Sequence, residues 1–157
     1  KQWKQAGMDS VSKLYTVFTV VGVSLPALKD TALGVVSTQT WSPDLDNEMN
    51  NRFVADYKAK FGAYPSFYAA QAYDTMMAID HAIDKAGSAD TEAMRAVLAK
   101  GGIPTTRGAL AMNSNQFPIQ NIYLREAVKD ADGIVTTKVT STVFTDHADS
   151  YASQCKF

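Results

Sequence analysis

The chain is poor in the residues that build metal centres. One cysteine and two histidines occur among 157 residues, far apart and without ligand spacing, so a zinc site has no material to form from. Fifteen basic residues face sixteen acidic ones, for a net charge of −1, and there is no Lys/Arg block. The long-range attraction that draws a protein to nucleic acid is therefore missing, and no nucleic-acid partner is expected. No apolar stretch approaches the roughly 18 residues of a membrane-spanning helix. Nine glycines and five prolines are too few for a collagen-like or low-complexity chain. G-x-S-x-G, P-loop and G-x-G-x-x-G motifs are all absent, and with them the commonest signals for acyl transfer, phosphate and dinucleotide chemistry. No cofactor is expected.

What is present is 46% hydrophobic residue content in an alternation of strands and helices. Lys1–Gly7 reads as the last turns of an amphipathic helix closed by glycine, which suggests a piece of a longer protein. Lys13–Val21, β-branched and nearly continuous in apolarity, predicts a buried parallel strand, and Val35–Thr40 a second beside it. Ser24–Leu28 between them is a short helical turn. Ser42-Pro43-Asp44 has the form of a helix start, with Ser as N-cap and Pro at the first position. Leu45, Met49, Phe53, Tyr57 and Phe61 then recur every four residues up to Gly62. A second helix is expected from Phe67 to Ala86, apolar over more than half its circumference and so buried between layers. Asp90 or Thr91 caps a third. Gly108–Met112 suggests a strand, and Ile119–Lys129 with Ile134–Phe144 a hairpin turned at Asp130–Gly133. This is the rhythm of an α/β, doubly wound fold.

No catalytic set emerges. His81 shares a helix with Asp80 and Asp84, but a metal needs three or four ligands, and a solvated polar face explains the group. His147, between Asp146 and Asp149, reads as a surface turn. Cys155 has no base near it in sequence and is not expected to act as a nucleophile. The better candidates stand at strand ends, where open α/β sheets bind ligands. These are Phe18 and Thr19 after the first strand, Trp41 after the second, and Tyr68 in the first turn of the long helix. Each aromatic could equally belong to the core.

These residues carry a resemblance. The series Trp3-x-x-Ala6-Gly7, Gly34-Val35-Val36, Trp41-Ser42-Pro43-Asp44, Phe53-x-x-x-Tyr57-x-x-x-Phe61-Gly62-x-Tyr64-Pro65 and Tyr68–Asp74, ending in Thr106–Leu110, Asn113 and Gln120, resembles the C-terminal part of a known family. It is the branched-chain amino-acid (leucine/isoleucine/valine-binding) family of type I periplasmic substrate-binding proteins of ATP-binding-cassette importers. The resemblance implies two Rossmann-like lobes around a ligand cleft. Residues 1–41 would end the second lobe, 42–117 would return through the first, and 118–157 would close the second with a hairpin and tail. It also implies a periplasmic, non-enzymatic solute-binding protein whose partners are a small carboxylate and a membrane permease.

On the same pattern Tyr68 matches the aromatic position that packs on the ligand, and Trp41 lies on the cleft rim. Phe18 or Thr19 falls where amino-acid-binding members place an acid for the ligand ammonium. No acid occurs from Leu14 to Ala27, so a buried ammonium would lack a counter-charge, at a cost of several kcal/mol. The sequence therefore leans toward an aromatic or short aliphatic acid over an amino acid. A sensor or regulator with the same lobes and, with least support, an α/β enzyme are the alternatives. The resemblance further implies that most of one cleft wall is encoded upstream. The apolar stripe of the first long helix would then need either that N-terminal segment or a second copy exchanging helices to cover it.

Overall fold

Three side chains decide where the long helices begin. Asn47, Ser66 and Asp90 each accept a hydrogen bond from the backbone N–H three residues on, that of Asn50, Ala69 and Ala93 respectively. In the computed structural model, which describes residues 1–155, these caps open α3 (Glu48–Phe61), α4 (Phe67–Ala86) and α5 (Thr91–Leu98). Gly62 and Gly87, at φ 66° and 65°, end the first two in the left-handed region that a Cβ disfavours. Before them come α1 (Gln2–Gln5), β1 (Tyr15–Val17), α2 (Leu25–Leu28) and β2 (Val36–Gln39). After them come β3 (Ile103–Thr105), β4 (Gly108–Met112), β5 (Pro118–Lys129) and β6 (Val135–His147).

The expected parallel pair and hairpin both form. β1 runs parallel to β2, with Tyr15 opposite Val36, and β5 pairs antiparallel with β6 over most of its length. β5 is also the hub of the six-stranded sheet. Its Tyr123–Glu126 stretch pairs antiparallel with β2, and its first residues pair with β4, which pairs in turn with β3.

Three sequence-based boundaries are corrected. The predicted strand Lys13–Val21 is only three residues long, because Phe18 turns the backbone at φ 58° and residues 18–24 curl into a loop. Ser42 does not cap a helix. Ser42–Leu45 forms a turn closed by the Leu45 N–H on the Ser42 carbonyl, and α3 starts five residues later than a Ser42 cap would place it. The reason is Asn50, whose Nδ2 donates to the carbonyls of Ser42, Pro43 and Leu45. It replaces the backbone N–H groups that a helix would have offered them. His147 ends a strand, stacked on Phe144, rather than standing in a turn.

Apolar burial divides into two clusters. One gathers Val20, Leu25, Ala32, Val35 and Ala127, with Leu14, Leu28 and Val135 against them. The other gathers Val21, Trp41, Phe53, Phe67 and Ala70, with Leu45, Tyr57 and Tyr73 against them. The stripe of Leu45 and α3 is thus satisfied largely within this chain, by Trp41 and α4, and of the five only Phe61 is exposed. On α4 the reverse holds: Met76, Ile79 and Ile83 are exposed, leaving one apolar face of the helix uncovered.

Candidate functional site

The loop after β1 is shaped by Ser24. Its hydroxyl donates to the Thr19 carbonyl at 2.6 Å and accepts from the Val21 N–H at 3.2 Å. Thr19 spends its own hydroxyl on the Val17 carbonyl at 3.0 Å. The curl forces Phe18 into the left-handed region, which a bulky side chain adopts only when its surroundings compel it. The strained backbone sends the Phe18 ring onto Phe67, centroid to centroid 5.2 Å, and Phe67 lies 3.9 Å from the ring of Tyr68. Phe67 is buried, whereas Phe18 and Tyr68 are 53% and 55% exposed. Two open aromatic rings therefore flank a buried one, with Thr19 exposed beside them. The structure brings Phe18 and Tyr68 to either side of Phe67 from segments 50 residues apart, with Thr19 exposed next to Phe18 in the chain.

Trp41 is not on that surface, and the expected rim position gives way to a core one. It is 3% exposed, packs edge-on to Phe53 at 6.3 Å, and donates its indole N–H to Asn50 Oδ1 at 2.8 Å. A ring enclosed by apolar neighbours, with its one donor satisfied, has nothing left to offer a ligand. Its contribution is to hold the cluster on which Phe67 rests.

The surface is tied to its support at three points, two of which the sequence did not single out. Gly22 packs so closely on the start of α4 that a Cβ would lie 2.8 Å from the Pro65 carbonyl oxygen and 2.9 Å from the Ser66 nitrogen. Arg125, on β5 and 1% exposed, donates to the carbonyls of Trp41 (2.9 Å) and Val20 (3.4 Å) and to the Ser37 hydroxyl (3.3 Å). Among the described residues no carboxylate bonds it directly. Burial lowers its pKa to about 10, with Asp44 pulling the other way, so it remains charged at neutral pH. Asp74, on α4, accepts from the Thr106 N–H and hydroxyl and pairs with Arg107 at 3.2 Å. Arg107 in turn donates to Gln120 of β5. Tyr73-Asp74 and Thr106-Arg107-Gly108 stand out as motifs in the sequence, but only the fold joins them. Gly22 and Arg125 leave no mark there, because a close approach and a shared donor are properties of partners distant in sequence.

Comparison with known proteins gives a consistent picture. The family model described as periplasmic binding protein matches residues 1–133. The Leu/Ile/Val-binding protein homolog 6 of Brucella abortus is 36% identical over 123 residues, covering 75% of this chain and 31% of that protein. A solute-binding protein of an ABC transporter from Rhodopseudomonas palustris BisB5, in complex with 3,4-dihydroxybenzoic acid, superposes with a TM-score of 0.81 at 31% identity. That match covers 95% of this chain and 42% of the other. A second such protein from R. palustris, in complex with benzoate, gives 0.81 at 26% identity over 98% and 42%. The chain thus spans under half the length of each of these proteins.

Proposed function

Because the chain belongs to the periplasmic binding protein family, we propose that it supplies the C-terminal part of a periplasmic solute receptor that delivers a small carboxylate to the permease of an ATP-binding-cassette importer. Residues 1–41 and 118–157 form the second lobe in this reading, and 42–117 belong to the first. One observation carries it. The adjacent residues Val20 and Val21 enter different cores, the first made by residues 14–35 with 127 and 135, the second by residues 41–73. The loop that presents Phe18 and Thr19 is therefore the seam between two bodies, and Phe18 on Phe67 is a contact across it. A seam lined by open aromatic rings is where a flat ligand gains most from closure of one lobe on the other.

Phe18, Thr19 and Tyr68 are the ligand-contacting residues in this proposal, and Trp41 supports Phe67 from behind. The ligand is an aromatic or short aliphatic acid rather than an amino acid. From Leu14 to Ala27 there is no acid to meet an ammonium, and Asp74 on α4 is engaged by Thr106 and Arg107. The benzoates held by the two superposable receptors agree with that choice. The protein acts by binding and lobe closure, without catalysis. The remaining cleft wall, and the cover for Met76, Ile79 and Ile83, come from residues upstream of Lys1 in the full-length protein or from an exchanged second copy. Calorimetric titration of the full-length protein with benzoate, 3,4-dihydroxybenzoate and leucine tests the reading. Binding of a benzoate in preference to leucine supports it, leucine bound preferentially overturns the ligand assignment, and binding of none of them overturns the receptor class.

A further inference from the structure

Away from the aromatic wall, a second set of groups crosses the same seam. Tyr64, in the corner between α3 and α4, donates its hydroxyl to Asp130 Oδ2 at 2.9 Å. Lys58 of α3 brings its ammonium to 3.7 Å from the same oxygen and lies 4.2 Å from the centroid of the Tyr64 ring. Asp130, at the β5–β6 turn, is held on its other side, where Oδ1 accepts the N–H groups of Asp132 and Ile134. One carboxylate thus receives a phenol, an ammonium and two backbone donors, with its side chain only 15% exposed. The partners lie 66 and 72 residues away in sequence, on opposite sides of the lobe division.

Beside this cluster runs a groove of about 640 Å³, walled by Val54 and Lys58 on one side and by Val128 and Lys138 on the other. The two sides are therefore loosely packed here and joined mainly by polar groups, in contrast to the apolar contact at Phe18. Polar links of this kind break and reform without exposing a core, which suits a joint that moves.

We propose that Lys58, Tyr64 and Asp130 form an interlobe clasp that sets how tightly the receptor binds its ligand without touching it. The proposal rests on the lobe assignment given above. Its logic is thermodynamic linkage. The arrangement that closes the clasp is the same one that brings Phe18 onto Phe67. Any ligand that binds the apposed lobes is helped by whatever populates that arrangement beforehand. Loss of the clasp therefore lowers apparent affinity by the fraction of apposed molecules lost, while the contacts at the wall stay intact.

The test uses the full-length protein with Asp130→Asn, Tyr64→Phe and the double variant. Small-angle scattering without ligand reads lobe opening, and calorimetry with benzoate and leucine reads affinity. The clasp predicts a larger radius of gyration in both single variants. For whichever probe the unmodified protein binds, it predicts roughly tenfold weaker binding, the low end of what the loss of one hydrogen bond to a charged group is worth. The double variant should lose little more than the worse single one, because both substitutions open the same link. Unchanged scattering in both single variants overturns the proposal even if neither probe binds. Unchanged affinity, or fully additive losses, overturns it where one does. Tyr68→Ala, run alongside, separates the two ideas. If it leaves affinity intact while the clasp variants still open the protein, the ligand wall is misplaced and the clasp stands.

Discussion

The indole N–H of Trp41 donates to Asn50 Oδ1 at 2.8 Å, and both residues are buried. Asn50 Nδ2 meanwhile serves the carbonyls of Ser42, Pro43 and Leu45, so a single amide satisfies the exit from β2 and the ring beneath it. Replacing Asn50 by Leu leaves one donor and several acceptors buried without partners, each costing about 1–3 kcal/mol if no water enters. Chemical denaturation of the full-length protein should show a loss of about 2–4 kcal/mol. A loss below about 0.5 kcal/mol would mean that water reaches this turn.

Tyr68→Ala should weaken ligand binding by about 1–3 kcal/mol through lost apolar contact, with little change in stability, because the ring is half exposed already. Titration with the benzoate probes measures the first, thermal unfolding the second. A fall in stability without a fall in affinity would place the ring in a packing role.

At Gly22 the obstruction to a side chain is backbone, which cannot swing aside as a side chain would. Gly22→Ala is expected to push the loop of Phe18 and Thr19 away from the start of α4. Affinity should fall at least tenfold, with a larger radius of gyration in solution scattering. Wild-type affinity in this variant would show that the seam tolerates separation.

The clasp has a defined pH range. Desolvation raises the Asp130 pKa. The Ile134 N–H, the Tyr64 hydroxyl, the Asp132 N–H and Lys58 outweigh it and hold the group below its ordinary 3.8. Such a group contributes stability above its unfolded value and loses it as pH falls through the folded one. Lys58 is raised above 10.5, chiefly by its neighbour Tyr64, and its contribution is lost only as pH rises through that folded value. The Tyr64 phenol, raised from 10.0 chiefly by desolvation, keeps its donor proton over the same interval. The stability difference between the unmodified protein and Asp130→Asn should therefore be flat from about pH 5 to 9 and vanish in strong acid. Urea midpoints across that range check it, and a difference that persists at pH 2 would assign it to packing instead of charge.

Much of the architecture follows from local signals. Apolar runs at 13–21 and 35–40 place the parallel pair, alternation on either side of Asp130–Gly133 places the hairpin, and Gly62 and Gly87 stop the helices where the sequence says they should. Two of the misreadings share a cause. Ser42-Pro43-Asp44 has every local feature of a helix start, yet Asn50 competes for the carbonyls. Lys13–Val21 is apolar enough for a long strand, yet Val20 and Val21 are drawn into separate cores. In both places the winning interaction comes from side chains whose position the local pattern does not encode.

The candidate site divides along the same line. Composition and motif order by themselves determined an α/β chain without metal-site spacing or a nucleic-acid signature, and marked Phe18, Thr19, Trp41 and Tyr68 as aromatic and hydroxyl groups at strand and helix ends. Only the tertiary structure decided that Phe18 and Tyr68 share a surface through Phe67 while Trp41 is sealed behind it. The sequence specifies which side chains stand at the end of an element. Which of them meets solvent depends on what folds over them, and the cover for Trp41 comes from α3 and α4, whose docking is a long-range property of the whole chain.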